Sequence, residues 1–232
     1  MIEINSLKKS FGKKHVLEDI SFSLEKGKIC GLIGANGVGK STLMKIIVGL
    51  NLPDDGSIKL NGIDLLNNRE KFKMGFMIEE PVFYQNLSGY QNLLLIAGLY
   101  SNFDKENIDW ALEKVGLLAR KNDLYKTYSL GMKQRLHFAL SIMNKPDILI
   151  LDEPFNGVDP VTVIVFEKLL KEFASNGCII FVSSHEIREL QYFCDEVFIL
   201  SGGKIVFTTS SPKEVDLFKK FSEYATSSIE VS

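Results

Sequence analysis

Gly34-Ala35-Asn36-Gly37-Val38-Gly39-Lys40-Ser41-Thr42 follows the spacing G-x-x-x-x-G-K-[ST]. Glycines in such a loop let successive backbone N–H groups turn inward around phosphate oxygens. A helix opening at Lys40 adds the partial positive charge of its N-terminus. Gly34, Asn36, Gly37, Gly39 and Thr42 therefore read as a phosphate cradle. Lys40 is the ammonium that reaches the terminal phosphates, and Ser41 is a hydroxyl ligand for Mg²⁺. Far downstream, Ile148-Leu149-Ile150-Leu151 runs straight into Asp152-Glu153. An apolar strand ending in acids delivers them to the carboxyl edge of a sheet, where open α/β sheets bind ligands. Asp152 is then placed to hold Mg²⁺, largely through water, and Glu153 to orient an attacking water. Alone, such a strand is commonplace; it gains weight from the glycine-rich loop upstream.

The elements that must position these groups can be read from the pattern around them. An apolar run at 28–33 leads into the loop. A helix is expected over about 40–50, closed by Pro53 and the turn Asp54-Asp55-Gly56. Two strand-like runs, 2–7 and 16–24, open the chain, the second alternating as Ile20, Phe22, Leu24. Further short strands are expected at 57–60, 74–78, 148–151, 178–182 and 197–200, with a helix near 161–174. Between about 81 and 143 the texture is helical: Leu93, Leu94 and Ala97, then Ile108, Ala111, Leu112 and Val115, recur at helical spacing. Strands alternating with helices predict an α/β fold with a mainly parallel sheet covered on both faces, and the helical stretch reads as an insertion.

The composition bounds the partners. The chain has 232 residues and a net charge of −2, which argues against a nucleic-acid partner, since phosphate-tracking surfaces need a basic excess. Cys30, Cys178 and Cys194 are odd in number and form no Cys-x-x-Cys pair, which fits buried thiols in a reducing compartment. The polar N-terminus shows no signal-peptide pattern. The longest apolar stretch, 93–100, is far below the roughly 20 residues of a membrane span, so a membrane role requires a partner chain.

Between the two halves of the phosphate site, Tyr128-Ser129-Leu130-Gly131-Met132-Lys133-Gln134-Arg135 opens a helix with Ser129 as its cap. This stretch resembles the signature motif of ABC (ATP-binding cassette) ATPases, usually Leu-Ser-Gly-Gly-Gln followed by Gln-Arg. Phe11 resembles the family aromatic that stacks on adenine, Glu153-Pro154-Phe155-Asn156-Gly157-Val158-Asp159-Pro160 the D-loop, and Ser184-His185-Glu186 the switch histidine. The resemblance covers about 2–207. It implies a single ABC ATPase domain over 1–232: a P-loop NTPase core, an N-terminal antiparallel β subdomain, and a helical subdomain inserted at approximately 82–143. ATP and Mg²⁺ are the implied ligands. Glu153 and His185 are the implied catalytic residues. Two such domains, expected to be identical, would pair head to tail, with Ser129, Gly131 and Asp159 of one acting at the nucleotide of the other.

Two departures refine the resemblance. Leu130 and Met132 replace a Gly and a Gln of the signature, and Glu79 stands where most of the family carry the Q-loop glutamine. With Ile78-Glu79-Glu80-Pro81-Val82-Phe83-Tyr84, this looks like the bacitracin- and lantibiotic-type exporter branch. Glu79 is accordingly expected near Mg²⁺ and the nucleotide. The implied setting is the cytoplasmic face of a membrane, on a separate permease docked near Phe83, Tyr84, Leu87 and Tyr90. The alternative, an ABC ATPase acting on ribosomes or DNA, usually has two cassettes or long coiled-coil insertions, which this chain lacks. Asn144-Lys145-Pro146-Asp147 imitates a guanine-reading motif but precedes a strand rather than following one.

Overall fold

The computed structural model describes residues 1–79, 81–100 and 103–227; Glu80, in the stretch quoted above, lies outside them. The chain opens with β1 (Ile2–Phe11) and β2 (Lys14–Leu24), antiparallel from Ile2↔Leu24 to Phe11↔Lys14. Both are longer than their apolar alternation suggests, because the polar residues Lys8, Lys9 and Ser10 still pair across the strands. β3 (Ile29–Ile33) then leads to α1 (Lys40–Val48). β4 (Asp55–Leu60) pairs antiparallel with β1, and β5 (Ile63–Asp64) completes a four-stranded sheet in the order β2-β1-β4-β5.

After β6 (Met74–Met77) come α2 (Gly89–Ala97), α3 (Glu106–Lys114) and α4 (Leu130–Ile142). Ser88 caps α2 in a reciprocal box with Gln91. The chain then alternates through β7 (Ile148–Asp152), α5 (Pro160–Ser175), β8 (Ile179–Ser184), α6 (Ile187–Phe193) and β9 (Glu196–Ser201). β10 (Lys204–Thr209) and α7 (Leu217–Ser227) follow. The second sheet has the order β10-β9-β3-β8-β7-β6 and is parallel except where β10 meets β9.

The parity of the central strands sorts the core into two layers. Cys30 and Leu32, Ile148 and Ile150, and Ile179 and Phe181 face α1 and the antiparallel sheet. Ile29 and Ile33, Leu149 and Leu151, and Ile180 and Val182 face the helices on the other side. A strand apolar on both faces reads as a continuous apolar run, which is why these strands were visible in the sequence. On the second face, Phe138 of α4 stacks on Phe166 of α5 with centroids 4.2 Å apart. α4 also packs so closely on β6 that a Cβ at Gly75 would lie 1.9 Å from the Ser141 carbonyl oxygen. α4 is thereby fixed against the sheet that carries Asp152.

The three cysteines are buried free thiols; burial pushes Cys30 and Cys178 up to about 12 and Cys194 well above the ordinary thiol value. Of the aromatics expected at a docking surface, Phe83 is buried against Tyr125, whereas Tyr84 is exposed. Asp147 and its neighbours lie at the start of β7, the opposite end of that strand from Asp152.

Candidate nucleotide site

In the loop between β3 and α1, Gly34 and Gly39 pack too closely on their surroundings to carry side chains freely. A Cβ on Gly34 would lie 3.0 Å from the Leu200 carbonyl oxygen, and Gly39 has φ 118°. Gly39 caps α1 without a side-chain hydrogen bond. The first N–H groups of that helix are left to whatever binds at its N-terminus, which favours an anion. Lys40 is buried, and its ammonium donates to the carbonyls of Gly34 at 2.7 Å and Ala35 at 3.4 Å.

The acids arrive from β7. Ser183, buried near the end of β8, donates its hydroxyl to Asp152 and accepts the N–H of Glu153 at 3.0 Å. Glu153 takes φ 49°, a left-handed conformation that an L-residue adopts at a cost and that turns its side chain out of the strand register. Its carboxylate lies between Lys40 Nζ at 3.3 Å and His185 Nδ1 at 3.0 Å. Asn156 approaches the same oxygen as His185 at 3.5 Å. β8, the strand that precedes His185, ends beside Glu153.

Two clefts meet here, both bordered by Ser41 and Glu153. One, of roughly 340 Å³, runs from Phe11 and Lys14 along Asn36, Gly37, Gly39, Lys40 and Thr42. Phe11 is 52 % exposed and is the last residue of β1. The other, of roughly 370 Å³, brings together Glu79, Asp152, Gln134 and His137. The Glu79 carboxylate is ion-paired with Lys45 of α1. Ser129, Gly131 and Asp159 border neither cleft. They form a separate group at two helix starts. Ser129 caps α4 by accepting the Met132 N–H, and Asp159 caps α5. A Cβ on Gly131 would lie 2.6 Å from Asp159 Oδ2. The Thr162 hydroxyl, with the N–H groups of Thr162 and Val161, holds the Asp159 carboxyl below the usual carboxylate range.

The donor chemistry fits Mg²⁺. The Ser41 hydroxyl and Asp152 carboxylate are hard oxygen donors on one cleft. Mg²⁺ is commonly held by one or two carboxylates with waters and substrate phosphates completing its shell. Ser183, Lys45 and Asn156 escaped sequence reasoning, as did the cleft positions of Gln134, His137 and Lys14. Only Ser183-Ser184, a polar pair closing an apolar run, carried a usable signal.

A mainly parallel sheet with a glycine-rich phosphate loop leading into a helix, and paired acids at the end of the strand next but one in the sheet, defines a P-loop nucleoside triphosphatase. The model of the family described as ABC transporter matches residues 17–156. The chain is 39 % identical over 227 residues to the bacitracin transport ATP-binding protein BcrA of Enterococcus faecalis, covering 97 % of this chain and 74 % of that protein. It is 41 % identical over 206 residues to the lantibiotic transport ATP-binding protein SrtF of Streptococcus pyogenes, covering 89 % of each. A solved ATP-binding subunit of an ABC transporter superposes with a TM-score of 0.81 at 29 % identity, over 97 % of this chain and 94 % of the other. The chain belongs to the ABC transporter family. It is an ATP-binding subunit that uses Mg²⁺ and hydrolyses ATP. Held by Ser41 and Asp152, Mg²⁺ would supply positive charge that offsets the phosphates.

Proposed function

We propose that this chain drives export of a peptide antibiotic, drug or similar compound through a separate membrane permease, working as a head-to-tail homodimer on the cytoplasmic face. The observation that carries the export reading is the likeness to BcrA and SrtF over most of the chain. Among the described residues no helix is long and apolar enough to cross a membrane, and the proposed path for cargo lies in the separate permease. Exposed Val82 and Tyr84, on the segment that follows Glu79, suit a permease contact. Nucleic acid is not an expected partner, and the net charge of −2 supports that.

Within each subunit, Gly34, Asn36, Gly37, Gly39, Lys40 and Thr42 hold the phosphates, and Phe11 stacks on the adenine. Ser41 and Asp152 take Mg²⁺ directly or through water, and Glu79 serves on the metal side once released from Lys45. Glu153 positions the attacking water, and His185, hydrogen-bonded to Glu153, contacts the γ-phosphate or that water. Ser129, Gly131 and Asp159 act on the nucleotide of the partner subunit. Their place at exposed helix starts, away from the clefts of their own chain, supports that reading. Closure of the pair around ATP and its release after hydrolysis would form a switch governed by the γ-phosphate. The export reading is tested by deleting the gene together with its neighbouring permease gene and measuring sensitivity to peptide antibiotics. Heightened sensitivity, restored by the wild-type pair but not with Glu153→Gln, is the expected result. Unchanged sensitivity across bacitracin- and lantibiotic-type peptides would contradict it.

A further inference from the structure

The end of β1 carries a charge lock that none of the roles above uses. Lys9 Nζ lies over the Phe11 ring, 5.3 Å from its centroid, and 2.9 Å from Asp54 Oδ1. The other Asp54 oxygen accepts the Ser10 N–H at 2.6 Å, and the Asp54 N–H donates to the Lys8 carbonyl at 2.8 Å. The segment that follows α1 thus grips three consecutive residues immediately before Phe11. The neighbouring Lys8–Asp55 pair is open to solvent, with side chains 51 % and 69 % exposed, whereas the Lys9 side chain is only 16 % exposed. The Lys9 hydrogen bond, then the Ser10 N–H, keep the Asp54 carboxyl below its usual range, so Asp54 stays ionised at neutral pH.

An exposed ion pair adds little to stability by itself. What this one does is hold an ammonium in a defined place against a ring. A cation on an aromatic face attracts the π electrons and fixes the ring plane. Phe11 cannot be held that way by burial, since half of it is exposed where it borders the phosphate-loop cleft. We infer that Lys9, held by Asp54, is a positioning residue that sets the Phe11 ring as a stacking platform for the purine base of the nucleotide. The inference rests on the reading that Phe11 stacks on the base. The clamp acts on the base and not on the phosphates, which separates it from Lys40.

The test is equilibrium binding of Mg·ATP and of Mg·tripolyphosphate, which lacks base and ribose, to the full chain and its variants. Lys9→Met and Asp54→Asn are each expected to weaken ATP about three- to fivefold, the range of an exposed cation–π contact, and to leave tripolyphosphate unchanged. Lys9→Arg should retain the wild-type value. If Asp54→Asn disturbs folding, Lys9→Met still carries the test. Phe11→Ala separates the two layers of the argument. ATP affinity unchanged in Phe11→Ala would overturn the stacking reading and the clamp with it. ATP affinity lost in Phe11→Ala but kept in Lys9→Met would overturn the clamp alone. Equal loss for ATP and tripolyphosphate, or tighter ATP binding in Lys9→Met, would also overturn it, because the ammonium would then act on phosphates or occupy the face the base needs.

Discussion

The Glu153 carboxylate is shared between Lys40 at 3.3 Å and His185 at 3.0 Å, so the proposed roles of these residues are linked and have to be separated by kinetics. Lys40→Ala removes the one buried ammonium of the loop while leaving its backbone cradle intact. Mg·ATP affinity is expected to fall by roughly 10- to 100-fold, the range for losing a hydrogen bond to a charged group. Affinity within a few-fold of wild type would contradict this. His185→Ala should instead lower kcat by about 10²-fold with a much smaller change in KM, because contacts made mainly in the transition state appear in kcat. Unchanged kcat with weakened binding would refute the assignment. Glu79 faces a harder electrostatic problem. A carboxylate about 4 Å from a phosphate charge at an effective dielectric of 20 is repelled by roughly 4 kcal/mol. Lys45 answers part of it by pairing with Glu79, and Mg²⁺ would reverse the sign for a carboxylate that faces the metal. Glu79→Gln is therefore expected to keep ATP binding and much of the turnover, with an altered Mg²⁺ requirement. ATPase rates against Mg²⁺ concentration as low as those of Glu153→Gln would make Glu79 catalytic.

At the scale of elements, α4 joins the two halves of the account, running from Ser129 at its cap to residues buried against the sheet. His137 is buried in this helix, and desolvation pushes it down to about 4 from 6.5. The folded chain therefore holds His137 neutral where the unfolded chain would protonate it. The sign follows: this contribution to stability is complete above about 6.5 and is lost as pH falls towards about 4. Its full size is on the order of 3 kcal/mol. His137→Gln is expected to flatten the fall in thermal midpoint between those pH values, read by melting curves; parallel curves would contradict it. The elements around the site differed in how readable they were. β3 and β7 stood out because both faces are buried, and α1 because a glycine-rich loop precedes it and Pro53 with a turn follows it, although Gly49 at φ 85° ends the helix slightly earlier than expected. β10 and α6 had no such signal: β10 is only half-buried, and α6 is seven residues long. The same limit holds in the site. Lys40, Ser41, Asp152 and Glu153 announced themselves by local spacing. The Ser183–Asp152 and Lys45–Glu79 contacts join residues 31 and 34 positions apart, pairings made by sheet order rather than by any local pattern.

On the scale of the whole molecule, the proposed machine is incomplete in one chain. The clefts gather the phosphate loop, the acids and His185's partner Glu153, whereas Ser129, Gly131 and Asp159 sit at helix starts that border neither cleft. Substituting a helix cap such as Ser129 by Ala costs about 1 kcal/mol of stability if capping is its only task. If it also serves a second subunit's nucleotide, Ser129→Ala should abolish ATP-dependent association while the thermal midpoint moves by only a few degrees, about 2–4 °C per kcal/mol for a chain of this size. Association that survives this substitution, measured by light scattering, would leave Ser129 a cap and nothing more. The most direct test of the account is the mass of Glu153→Gln in solution with and without Mg·ATP. That substitution keeps the shape of the side chain but removes the carboxylate proposed to position water. A monomer without nucleotide that becomes a dimer with Mg·ATP, and returns to monomer with Mg·ADP, is the predicted result. A monomer at high protein concentration under all three conditions would contradict the head-to-tail pair.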